Sequence, residues 1–75
     1  MTLDEADLKV SLRITGFNNI DQVDQSRLAG HAVRFGAHVV KLISTPLKDP
    51  VECLVDSQLF ALERKLLKAI YVELT

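Results

Sequence analysis

A change of hydrophobic period along the chain limits its folding most. In the run "LKVSLRIT", Leu8, Val10, Leu12 and Ile14 alternate with Lys9, Ser11, Arg13 and Thr15. A period of two suits a half-buried strand with one wet face. Gly16 and the pair Asn18-Asn19 then interrupt the pattern. From about Ile20 to Phe35 the spacing becomes helical: at about 100° per residue, Leu28, Ala32 and Phe35 share a narrow arc with Ala29 beside them. Asp21 and Asp24 fall in the first turn, where the helix dipole favours negative charge. Gly36 follows as a left-handed C-cap.

The run "HVVKLIS" is β-branched and aliphatic and predicts a second strand, after which the two prolines of "TPLKDP" mark a turn. In "VECLVD", Val51, Cys53 and Val55 oppose Glu52, Leu54 and Asp56, predicting a third strand. Next, "QLFALERKLLK" predicts a second helix, capped by Asp56 or Ser57, with Leu59, Leu62 and Leu66 as its stripe and Lys65 and Lys68 near its C-terminus. Ile70, Val72 and Leu74 then alternate with Tyr71 and Glu73 as a last strand. A β-α-β-β-α-β order with right-handed crossovers predicts an α+β, ferredoxin-like split β-α-β fold: a four-stranded antiparallel sheet with two helices on one face. Residues 1–75 are expected to form one such domain, with 1–7 a flexible acidic N-terminus.

Composition narrows the function. Net charge is −1, which argues against a protein built to coat nucleic acid. Cys53 is the one cysteine, so no internal disulfide forms and a reducing compartment is favoured. The acidic start "MTLDEADLK" lacks the apolar core of a signal peptide. No apolar run approaches the roughly 18 residues that a membrane span requires. A cytoplasmic or organellar-matrix protein without a membrane role is expected.

The stretch "GAHVVKLISTP" resembles ribosomal protein S-ten, the NusE family of the small subunit, through Gly36, Ala37, Val39, Ile43 and Pro46. Upstream, "KVSLRITGF", the triplet Ile20 to Gln22, and Leu28, Ala29 and Ala32 extend the likeness over Lys9 to Pro46. The family's long basic hairpin is missing, because "TPLKDP" closes that gap with a single Lys48. The resemblance implies a truncated or diverged relative that docks on a protein in a ribonucleoprotein or transcription-antitermination assembly, as family members dock on NusB.

Two surfaces are candidates for that docking. Arg27, His31 and Arg34 fall within about 60° of one another on the first helix, and His38 and Lys41 follow on the next strand. Such a strip would suit an acidic partner or an RNA backbone, although an ordinary solvated helix face has the same pattern. The open sheet face offers Arg13, Leu54 and Tyr71 as an interface, with too few aromatics for an RNA-stacking platform. Such a face would also suit a homodimeric ferredoxin-like regulatory domain binding a small ligand at a sheet-sheet seam, the alternative function. His31, His38 and Cys53 match no zinc spacing, and Cys53 on an inward face reads as an inert thiol. Neither a metal nor another cofactor is expected, and acylphosphatase-like catalysis ranks last. The expectation is a non-enzymatic binding module.

Overall fold

A computed structural model describes residues 1–18, 20, 26, 28, 30, 33–44 and 49–75. Five strands, β1 (Leu12–Phe17), β2 (His38–Ser44), β3 (Val51–Val55), β4 (Gln58–Leu62) and β5 (Ile70–Leu74), form one sheet in the order β4-β3-β2-β1-β5. Every pairing is antiparallel. A single helical turn, Arg64–Leu67, separates β4 from β5. Between β1 and β2, Ser26, Leu28 and Gly30 are helical.

This is not the ferredoxin-like arrangement. There β1 would neighbour β3, whereas here β1 lies between β2 and β5, with Leu12 opposite both Val39 and Leu74. The departure originates in "QLFALERKLLK". Asp56 and Ser57 both take positive φ, 47° and 71°, so they form a two-residue hairpin loop whose twist matches the flanking strands. The chain therefore folds back as β4, with Phe60 opposite Cys53 and Leu62 opposite Val51. Only Arg64–Leu67 is helical, with Leu66 and Leu67 buried. Leu59, expected in a helical stripe, is 58% exposed.

The alternation read for the other strands holds except at Leu74, expected inward with Ile70 and Val72 but largely exposed. Leu12 and Ile14, Val51, Cys53 and Val55, and Ile70 and Val72 are all buried. The first strand begins later than expected, because Lys9 takes a left-handed φ of 62° and leaves Leu8 exposed. The first helix also stops short. Val33 onward is no longer helical, so Val33 turns into the core while Phe35, placed in the apolar stripe by the sequence, is 74% exposed. Gly36 is left-handed as expected, at φ 84°.

The amino-terminal segment, expected to be flexible, is built into the fold. Leu3 is fully buried, its amide donates to Ile70 O at 2.8 Å, and Val72 N donates to Met1 O at 2.9 Å. Glu5 Oε1 accepts from the Thr2 amide at 2.8 Å and the Thr2 hydroxyl at 3.0 Å. These bonds hold the Glu5 carboxyl below its ordinary range. Across the core, the ammonium of buried Lys41 donates to Ala6 O at 2.7 Å and Asp4 O at 3.1 Å.

Lys41→Ala should therefore destabilise the fold. Two backbone carbonyls lose a charged donor, a loss on the order of 2 kcal/mol or more. The melting temperature followed by circular dichroism should fall by roughly 10 °C, and the Leu3 amide should lose exchange protection. An unchanged melting temperature would show that Lys41 does not anchor the segment.

Candidate functional site: an apolar groove beside Arg34

The turn from Arg34 to Ala37 shapes a concave, mostly apolar surface. Gly36 N donates to Ile14 O at 2.8 Å, Ile14 N donates to Ala37 O at 2.9 Å, and Ala37 N donates to Arg34 O at 3.1 Å. Arg13 Nη1 adds a bond to Gly36 O at 3.1 Å. The turn is thus pinned to β1, and the left-handed Gly36 is what lets it close so tightly. Its outer side projects Phe35 over a groove of about 210 Å³ lined by Phe17, Ile20, Leu28, Val33, Arg34 and Phe35. Five of these six side chains are apolar. The volume lies below the roughly 300–1,000 Å³ of small-molecule pockets and suits a protruding side chain of another protein better than a cofactor.

Arg34 gives the groove a charged rim. Its Nη1 lies 3.0 Å from Asp56 Oδ2, while Asp56 Oδ1 accepts from the His38 amide at 3.0 Å. The His38 bond first, and Arg34 second, hold the Asp56 carboxyl below its ordinary value of 3.8. His38 Nε2 approaches Ser11 Oγ at 2.6 Å, and Ser11 Oγ approaches Thr75 Oγ1 at 2.7 Å.

The basic strip expected from the sequence is only partly assembled. Arg27 and His31 lie outside the described residues. Arg34 and His38 are exposed and meet through Asp56. Lys41 faces the core instead: residues three apart on a strand point to opposite faces, so it shares the side of Val39 rather than that of His38. The proposed sheet-face patch is divided. Arg13 stands in register with His38 and Glu73, Leu54 with Val40 and Leu59, and Tyr71 with Gly16 on β1. Strands β2 and β1 lie between Leu54 and Tyr71. Cys53 is fully buried, and desolvation pushes its thiol up to about 11 against the opposing influence of Lys41.

Sequence reasoning missed the groove because it placed Phe35 in the core. The available signal was Gly36: a left-handed glycine directly after Phe35 marks a turn, where a large side chain more readily faces outward. No group of three or more potential metal-binding side chains occurs among the described residues, and none of their helices is long and apolar enough to cross a membrane.

A five-stranded antiparallel sheet with a short helical turn before its last strand is an SH3-like, small β-barrel type of domain. FeoA from Stenotrophomonas maltophilia complexed with zinc, described as a procaryotic SH3 domain protein, matches with a TM-score of 0.78 at 25% identity, over 97% of this chain and 89% of that one. Within that class the chain belongs to the FeoA domain family, whose pattern matches residues 1–74. The solution structure of FeoA from Chlorobium tepidum gives a TM-score of 0.89 at 24% identity, over 99% of this chain and 70% of that one. Iron(II) transport protein A from Clostridium thermocellum gives 0.89 at 23% identity, over 100% of this chain and 46% of that one, so the chain spans less than half of that protein. No curated protein matches the sequence.

These matches overturn the resemblance to ribosomal protein S-ten, and with it the ribonucleoprotein and antitermination assignment. The likeness rested on a glycine turn and aliphatic spacing, which any strand, helix, strand sequence shares. The homodimeric ferredoxin-like alternative falls with the fold.

The Asp56 bridge gives a signed prediction. A carboxyl held below 3.8 in the folded chain contributes stability that is full above that value, and it is lost as the pH falls through the lower folded value. Asp56→Asn should unfold at lower urea than the parent at neutral pH, and the gap should close in acid. A gap that does not vary with pH would remove the charge at Asp56 from the account.

Proposed function

We propose that the chain is a non-enzymatic FeoA module of bacterial ferrous iron transport that acts from the cytoplasm by docking on a protein partner through the Phe17–Phe35 groove. The groove carries this reading: contiguous exposed apolar surface rimmed by polar residues marks a docking site, and here Phe35 is 74% exposed beside Arg34. Family membership supplies the biological setting. The Stenotrophomonas relative is described as a candidate activating factor for bacterial ferrous iron transport, and the Clostridium thermocellum relative as an iron(II) transport protein. The single reduced cysteine suits a reducing compartment.

In this reading a large apolar side chain of the partner enters between Phe17 and Phe35, and an acidic neighbour on the partner competes for Arg34. Aromatic residues in such a position dominate binding energy, and truncating one typically costs about 2 kcal/mol.

The test is ferrous iron uptake in bacteria that lack their own FeoA and express this chain. The parent should restore uptake. Phe35→Asp, on an exposed turn that leaves the fold intact, should weaken partner binding by roughly thirtyfold and lower uptake accordingly. Full uptake with Phe35→Asp, at parental protein levels, would sink the groove as the docking site.

A further inference from the structure

Strand β4 stands at an edge of the sheet and, among the described residues, pairs only with β3. The two-residue loop at Asp56-Ser57 decides which of its backbone groups face outward. Val55 and Gln58 close that loop as a hydrogen-bonded pair, so Cys53–Phe60 and Val51–Leu62 are bonded pairs as well. The N–H and C=O groups of Leu59 and Ala61 consequently point away from β3. Both residues are exposed. The strand reads "QLFAL", with no charge and no proline, the devices that ordinarily protect a sheet edge from pairing with another chain. Its outward side chains also continue an apolar row, since Leu59 stands in register with Leu54 and, through it, Val40.

We propose that β4 pairs antiparallel with β4 of a second copy of this chain, about a twofold axis at Phe60, to make one continuous ten-stranded sheet. In that register Leu59 of each copy meets Ala61 of the other. Each such pair exchanges two backbone hydrogen bonds, so the outward groups of both residues are satisfied. Two observations favour a second copy as the occupant. The strand is uncharged, so pairing it with itself brings no like charges together along its length. Beyond its ends the antiparallel register sets Glu63 level with Ser57 and Arg64 level with Asp56 of the other copy, so no like charges meet there, whereas a parallel register would set Asp56 against Asp56 and Glu63 against Glu63. The contact is isologous, as a twofold interface requires. It is edge to edge, and no residue of the Phe17–Phe35 groove belongs to β3 or β4.

Sedimentation equilibrium of the purified chain, from micromolar to millimolar concentration, tests this. The weight-average mass should rise from 8.4 kDa toward twice that value. The amides of Leu59 and Ala61 should gain exchange protection over the same range. Ala61→Pro removes a donor that β3 does not use, so the circular dichroism spectrum should be unchanged while the mass stays monomeric at every concentration. Leu59→Lys should have the same effect, and it decides the matter if Ala61→Pro fails to fold. A monomeric parent at the highest concentration, or association that persists in the folded variants, would overturn the proposal.

Discussion

The ammonium of Lys41, a buried side chain bonded to two backbone carbonyls, holds the amino-terminal segment against the sheet. An unpaired charge in that position would cost several kcal/mol, so the carbonyls of Asp4 and Ala6 are required to be where they are. Their placement in turn sets Leu3 over Leu67 and Ile70, through amide bonds from Leu3 to Ile70 O and from Asp4 to Leu67 O. Asp4 Oδ1 is buried without a hydrogen bond of good geometry, yet the Arg64 guanidinium lies 3.4 Å away and supplies an electrostatic partner. One inward lysine thus organises the first six residues, the helical turn and the end of the sheet. It also sits close enough to Cys53 to oppose, without overcoming, the desolvation that keeps the thiol protonated.

The groove depends on the same sheet from the other side. Its floor, Leu28 and Val33, is core, while its lips, Phe17 and Phe35, project from the end of β1 and from a turn bonded to Ile14. Because floor and lips rest on packed elements, the apolar surface is held open instead of collapsing, which lowers the ordering cost of binding. Cys53, the chain's one cysteine, is by contrast withdrawn into the core.

Much of the strand pattern was legible, because alternation is written directly in residues 8–15, 51–55 and 70–74 and the structure buries the expected members apart from Leu8, Val10 and Leu74. The second predicted helix was not. Leu59, Leu62 and Leu66 satisfy a helical spacing, and Asp-Ser is a weak hairpin signal beside Asn-Gly or Asp-Gly. The tertiary demand that Phe60 and Leu62 cover Cys53 and Val51 decided the outcome. The opening Thr2-x-x-Glu5 carried a capping-box spacing that foretold local order, but its acidity made it look like a tail. Lys41 appeared to belong with His38 by proximity in sequence, although strand parity alone separates them. The groove needed Gly36 to be read as the place where Phe35 leaves the core.

The loop at Asp56-Ser57 has a consequence beyond shaping a hairpin. Its carboxylate is shared between the His38 amide at the root of β2 and the Arg34 guanidinium on the lip of the groove. One carboxylate thus ties the lip of the groove to the β3–β4 hairpin, a segment well separated from it along the chain.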